Sequence, residues 1–143
     1  MRLIVALALV FFAVHASAME AATLGIDIRG VRANTGKVHL ALFESADGFP
    51  DDFNKAVKIV SVNAESGTMR LEIAGLPPGD YAFAYFNDAN NNDELDRGAF
   101  GIPREDFGFS NDPRVTRGPP TFNQSKFDVA SPRTNVTTTF QHL

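Results

Sequence analysis

The sequence predicts an all-β protein, an antiparallel β-sandwich of about seven strands. Three observations favour this fold class. Short runs in which apolar and polar residues alternate recur along the chain, and such alternation is typical of strands with one buried face. Turn-forming Gly, Pro, Asn and Asp residues separate these runs. After the first 18 residues, no stretch of about ten residues shows helical periodicity. Two sheets packed face to face would bury the apolar faces of such strands.

The alternating runs place the strands in order along the chain. The first strand, residues 24–30, alternates Leu24, Ile26 and Ile28 with small or polar residues. The other strands are predicted at residues 37–43, 57–62, 67–73, 81–86, 126–129 and 135–140. The apolar positions predict a core that includes Leu40, Leu42, Ile59, Leu71, Ile73, Phe83 and Val136.

Strand 81–86 is predicted to lie in the centre of a sheet. A tight turn precedes it, in which Pro78 presets φ and Gly79 allows a positive φ. Every residue of the strand is apolar or aromatic, which is typical of strands covered on both faces. The strand leads directly into the acidic residues 87–96.

The N-terminal residues have the features of a signal peptide. Arg2 precedes an apolar run, residues 3–14, and residues 16–18 form an Ala-Ser-Ala cleavage site. A membrane anchor is the less favoured alternative, because a spanning helix requires ~20 apolar residues. We therefore expect cleavage of the signal peptide 1–18 and a single β-sandwich domain over residues 19–143. The expected location is secreted or periplasmic, with no stable membrane insertion after cleavage.

The composition excludes several classes of function. The formal net charge is −4 and the basic residues form no cluster, so no nucleic-acid partner is expected. Cysteine is absent, which excludes disulfide bonds and thiol chemistry. A secreted chain of this kind must be stabilised by its apolar core or by a metal.

The acidic loop after strand 81–86 has the spacing of a calcium-binding loop. Its oxygen-bearing residues Asp88, Asn90, Asn92, Glu94 and Asp96 stand at alternating positions 1, 3, 5, 7 and 9. Such spacing directs short side chains round a common centre, and a hard cation prefers their oxygens. We expect these five residues to bind one Ca²⁺, with Glu94 contributing its backbone carbonyl. The alternative is a solvated turn, since Asn and Asp favour turns by themselves.

The calcium pattern is incomplete in two places. Position 6 is Asp93 instead of glycine, and position 12 is Ala99 instead of a bidentate glutamate. Glu105 or Asp106 would have to fold back to supply the missing oxygens.

The long segment 87–124 lacks periodicity, which indicates a functional or metal-ordered loop. Its aromatic residues have two interpretations. Filling of gaps in the core is favoured, because most aromatic side chains are buried. The alternative is an exposed apolar surface for a partner. The residues concerned are Phe100, Phe107, Phe109 and Phe122.

Several motifs of the chain resemble a known family. They are Leu76-Pro-Pro-Gly-Asp-Tyr, Asp88-Ala-Asn-Asn-Asn-Asp-Glu-Leu-Asp and Phe107-Gly-Phe-Ser-Asn. The chain is similar, from its first strand to its C-terminus, to a bacterial secreted family known as domain of unknown function 2141. The resemblance implies a small exported β-sandwich of transthyretin-like or prealbumin-like character, without an established activity. The family often has glycine where this chain has Asn91 or Asp93, so these residues are expected to adopt a positive φ.

Two functions remain from different classes. The favoured one is a calcium-stabilised binding or structural module of the cell envelope, with an envelope protein or a glycan as partner. The alternative is a small extracytoplasmic hydrolase that uses Asp and Glu residues of the long loops. No catalytic residue and no organic cofactor is predicted, and His39 is expected to be exposed. An enzyme requires a concave site with converging titratable groups, whereas a module would show a filled, convex loop.

Overall fold

The computed structural model describes residues 19–32 and 34–142, which form two β-sheets and little helix. The predicted signal peptide, residues 1–18, lies outside the described residues and stays a prediction. The strands are β1 Ala22–Val31, β2 Lys37–Phe43, β3 Lys58–Asn63, β4 Gly67–Leu76, β5 Gly79–Asp88, β6 Phe107–Phe109, β7 Phe127–Val129 and β8 Arg133–Thr139. The helical segments are the short helix α1, Phe122–Ser125, and the 3₁₀ turns Phe53–Lys55 and Ala99–Gly101.

The two sheets have three and five strands. The strand order is β4-β1-β8 in the smaller sheet and β3-β2-β5-β6 in the larger one, where β7 pairs with the first part of β5. The pairs are antiparallel except for β1 and β8, which are parallel. The predicted all-β sandwich is therefore confirmed, with eight strands instead of seven and one parallel pair. Strand β6 was not predicted, because three residues are too few to show an alternation.

The inner face of each sheet contributes to one apolar core. Strand β5 lies between β2 and β6, as its apolar sequence predicted. Of the predicted core residues, Leu40, Leu42, Leu71, Ile73 and Phe83 are buried. Val136 is half-buried and packs against them. The alternation therefore predicted the inner core at these positions.

The prediction that Ile59 belongs to the core is wrong, because its side chain is 53% exposed. In β3, the neighbouring Val60 and Val62 pack against the core, so Ile59 points to the opposite side. The sequence offers apolar residues at both 59 and 60. A shift of one residue reverses the face of every side chain in a strand, and the pattern alone does not fix it.

The outer face of the larger sheet is also buried, but under loops. Its buried residues are Ala84, Phe86, Phe107 and Phe109. Half-buried side chains from the irregular segments pack on them, namely Phe49, Phe53, Leu95 and Val115. We call these eight residues the outer layer.

No helix in the described part of the chain is long and apolar enough to cross a membrane.

Candidate functional site

The acidic loop begins at Asp88, the last residue of β5, whose side chain is fully buried. Its Oδ1 atom accepts a hydrogen bond from the backbone N–H of Asn92 at 3.1 Å, and Oδ2 accepts one from Asp93 at 2.9 Å. These bonds fold the loop back over Asp88. Asn91 and Asp93 have φ values of 57° and 61°, so both adopt the expected positive φ. The loop thus makes its tight turns without glycine.

The side chains of Asn90, Asn92 and Asp96 meet at one point. The Asn90 amide donates to Oδ2 of Asp96 at 2.8 Å, and the Asn92 amide donates to Oδ1 at 2.9 Å. The side-chain amide oxygens face the loop backbone. The Asn90 oxygen accepts a hydrogen bond from the backbone N–H of Asn92, and the Asn92 oxygen accepts one from the backbone N–H of Glu94. Asn92 also connects this cluster to Asp88 through its backbone. The structure therefore brings three predicted ligands together and holds the other two beside them.

Glu105 folds back onto the loop. Its Oε1 atom accepts from the backbone N–H of Ala89 at 2.9 Å, and Oε2 accepts from that of Asp96 at 3.1 Å. The carboxylate thus joins the two ends of the loop. Asp106, the other residue considered for this role, lies elsewhere and pairs with Arg32 and His142.

The expectation that His39 is exposed is wrong: it is 8% exposed. Its Nδ1 atom lies 2.7 Å from Oγ of Ser61, and its Nε2 atom lies 3.2 Å from Oδ2 of Asp88 and 3.6 Å from Oδ1 of Asp93. The acidic loop covers this part of the outer face, which the alternation of β2 alone does not indicate. Potential metal-ligand atoms of His39, Asp88 and Asp93 lie within 4.8 Å of one another.

The surroundings of Asp88 favour its ionised form. Burial acts to raise the pKa of the carboxyl, but hydrogen bonds from the Asp93 and Asn92 N–H groups and from His39 outweigh it. The pKa of Asp88 is therefore lower than its ordinary value. A buried, ionised carboxylate at the base of the loop is suited to hold a positive charge close by.

A short hairpin, residues 96–104, follows the acidic loop. The N–H of Arg104 donates to the carbonyl of Asp96 at 2.8 Å, and that of Gly98 donates to the carbonyl of Ile102 at 2.7 Å. Phe100 lies at the tip with φ 60° and ψ 21°, a left-handed conformation that is a genuine outlier for a bulky residue. Its side chain is fully exposed. We call residues 96–104 the hairpin.

A cleft of about 1020 Å³ lies between the hairpin and the outer layer. Phe86, Phe107 and Phe109 form its floor, and Leu95 and Phe100 line it from the side of the acidic loop and the hairpin. Charged residues at its rim are Asp51, Asp52, Asp93, Glu94 and Arg97. The long loop is thus neither filled nor convex, contrary to the expectation for a module.

The four phenylalanines of the long loop divide between the two predicted roles. Phe107 and Phe109 are buried. Gly108 between them lies so close to Tyr85 that an added Cβ atom would clash with its ring. Phe122 is half-buried. Its ring packs edge-on against the ring of Phe49, and the two ring centroids are 5.9 Å apart. Phe100 alone of the four is exposed, so the core-filling interpretation is wrong for this residue.

The polar part of the cleft lining includes four carboxylates and one guanidinium. Arg97 donates to Oδ1 of Asp51 at 3.0 Å, which neutralises one rim carboxylate. Among the described residues that line the cleft there is no histidine, serine, cysteine or lysine. Hydroxyl and carboxyl groups are present in the lining, on Thr116, Tyr85 and the four acidic residues. Sequence reasoning missed the cleft because its floor combines β5 and β6 with distant loops.

Comparison with known proteins identifies one match. The family model described as an uncharacterized protein conserved in bacteria (DUF2141) matches residues 26–137. Searches of curated proteins and of solved structures find no match. The transthyretin-like character therefore stays a prediction. Since the match covers well over half of the chain, the protein belongs to the bacterial DUF2141 family.

Proposed function

We propose that the protein is a calcium-stabilised binding module of the cell envelope, in which the ion orders the hairpin beside the cleft. The observation that supports this most is the double role of Asp96. Its side chain accepts from Asn90 and Asn92 in the acidic loop. Its backbone carbonyl accepts from Arg104 and closes the hairpin. An ion bound to Asp96 would therefore restrain both segments.

The proposed ligands are the side chains of Asp88, Asn90, Asn92 and Asp96 together with the carbonyl of Glu94. A hard cation suits such oxygens, and its charge would relieve repulsion among the carboxylates of the loop. Weak affinity is sufficient outside cells, where calcium is abundant. The predicted signal peptide supports an extracytoplasmic location.

The cleft supports binding over hydrolysis. Its floor is aromatic, whereas hydrolysis of a glycosidic bond requires two carboxyl groups facing the scissile bond. Asp93 is 73% and Asp51 62% exposed at the side chain, and Asp51 is paired with Arg97. The same apolar floor favours a ligand that has an apolar group.

Calorimetry and thermal unfolding of the full chain with calcium test the proposal. Calcium at a hundredfold excess over its Kd should stabilise the fold by about 2.7 kcal/mol. Asp96→Asn should remove both the heat of binding and the stabilisation. Asp47→Asn is the matched control, because Asp47 is an exposed carboxylate outside the loop, paired with Lys55. Absence of a heat of binding at millimolar calcium, with an unchanged Tm in chelator, would show that the loop is only a turn.

A further inference from the structure

The cleft combines an aromatic floor with an acidic rim. Four carboxylates and one guanidinium line it. Arg97 is already paired with Asp51, so Asp52, Asp93 and Glu94 remain as the excess negative charge. His39 lies 3.6 Å from Asp93 but is buried on the sheet side of the loop. Carboxylates above an apolar floor focus their field into the cleft, because the floor is a medium of low dielectric constant.

Phe100 is placed at the mouth of this cleft. Its ring lines the cleft and is otherwise in solvent. Its left-handed backbone is a strained conformation for an aromatic residue, and nothing in the described structure buries the ring in return. Ile102, on the other arm of the hairpin, is exposed as well, with an exposed fraction of 54%. An occupant of the cleft would bury these apolar side chains.

The dimensions of the cleft fit a small molecule. Sites for such ligands measure about 300–1,000 Å³ and are lined mainly by apolar and aromatic side chains with a few polar groups. The volume of the cleft, about 1020 Å³, lies just above the upper limit of this range.

We propose that the cleft binds a small organic cation, an ammonium group on an aromatic or aliphatic body. The body lies against Leu95 and Val115, which line the cleft and are half-buried, and Phe100 closes over it. The ammonium group lies at the rim near Glu94 and Asp93, where the carboxylates attract it. This inference rests on the proposed binding function and names the ligand class.

Three fluorescent probes that share one aromatic body test the ligand class. Dansylcadaverine has an ammonium group, dansylamide is neutral and dansylglycine has a carboxylate. In titrations of the full chain at low ionic strength, dansylcadaverine should bind about tenfold more tightly than dansylamide, and dansylglycine should bind most weakly. The preference should decrease as salt is added, because the rim is exposed and screened.

Two variants test the assigned contacts. Glu94→Gln removes a rim charge but keeps the backbone carbonyl, and should reduce the preference for dansylcadaverine over dansylamide about threefold. Phe100→Ala should weaken both probes about fivefold and leave their ratio unchanged. The matched controls are Glu65→Gln and Ile59→Ala, an exposed carboxylate and an exposed apolar side chain that do not line the cleft. Both controls should bind like the wild type.

The outcomes separate this inference from the proposed function. Equal affinities for the three probes, or a preference for dansylglycine, would overturn the ligand class but leave the cleft as a binding site. Absence of binding by all three probes would overturn both the inference and the binding part of the proposed function. Unchanged affinities in Phe100→Ala would overturn the assigned role of Phe100.

Discussion

The two faces of β5 are buried in different ways. On the inner face, Phe83 is fully buried between the sheets, with Tyr85 and Phe127 at ring-centroid distances of 6.0 and 5.6 Å. On the outer face, Phe86 contacts His39 and Phe53, which belong to the neighbouring strand and to a 3₁₀ turn. The inner face is closed by a second sheet, whereas the outer face is covered by loops that leave a cleft.

This difference separates stability from the proposed binding function within one strand. Sheet-on-sheet packing fills the inner core with interlocking side chains that have little freedom to move. Irregular segments cannot cover a pleated surface as completely, so the outer layer retains a concave site. Binding sites are commonly formed in this way by loops on a rigid scaffold.

The largest predicted effect compares the two phenylalanines of β5. Phe83→Ala should lower the free energy of unfolding by about 3–5 kcal/mol, because it leaves a closed cavity in the inner core. Phe86→Ala should cost about 2–3 kcal/mol, since the space it leaves opens to the cleft and fills with water. Chemical denaturation measures both values. Equal losses would show that the outer layer is packed as tightly as the inner core.

The second prediction compares the acidic residues at the two ends of β5. Asp88→Asn should destabilise the protein by about 1–3 kcal/mol in the presence of a chelator, because the buried carboxylate accepts two backbone N–H groups. Asp80→Asn is the control, since Asp80 forms an exposed pair with Lys126. Exposed pairs contribute little, about 0–1 kcal/mol. A loss for Asp80→Asn as large as that for Asp88→Asn would contradict the role assigned to the burial of Asp88.

The third prediction concerns the hairpin tip. Phe100→Gly should leave the free energy of unfolding unchanged or raise it by up to about 1 kcal/mol, because glycine accepts a left-handed conformation without strain. The same measurement on Phe107→Ala, in the outer layer, should show a loss of about 2–4 kcal/mol. Marked destabilisation by Phe100→Gly would mean that the ring at position 100 stabilises the fold.

The smallest predicted effect concerns Asp106, which connects the end of β1 to the start of β6 through Arg32. Burial acts to raise the pKa of Asp106, but hydrogen bonds from Arg32 and His142 outweigh it and lower the pKa. The ionised Asp106 therefore contributes fully to stability when the pH is above the ordinary pKa of an aspartate. This contribution is lost as the pH falls through the lower pKa that Asp106 has in the folded protein. Asp106→Asn should decrease Tm by about 1–4 °C at pH 7. The difference should vanish once the pH has fallen below the lowered pKa of folded Asp106, and a constant difference would contradict the assigned ionisation.

The sequence predicted the inner layer better than the outer layer. Alternation identifies a strand and one apolar side, which was sufficient for Leu40, Phe83 and the strand bounds of β2. It failed at Ile59, where two adjacent apolar residues compete for the inner face. The failure at His39 has another cause, because burial there depends on a loop whose path is fixed by contacts between residues distant in sequence.

The acidic loop shows the same limit. Its spacing predicted that Asn90, Asn92 and Asp96 converge, since this depends on local geometry. The cleft was not predictable in the same way, because it requires the hairpin, β5 and β6 to be placed together. Phe100 resembles the buried phenylalanines in the sequence, and only its backbone conformation and exposure distinguish it.

Amide hydrogen exchange in the hairpin tests the central claim most directly. If calcium at the acidic loop orders the hairpin, the amides of Gly98 and Arg104 should exchange up to about a hundredfold more slowly at a hundredfold excess of calcium over its Kd. The full chain with Asp96→Asn should show no such change, and Asp47→Asn should behave like the wild type. Equal exchange rates for these two amides with and without saturating calcium would contradict the claim.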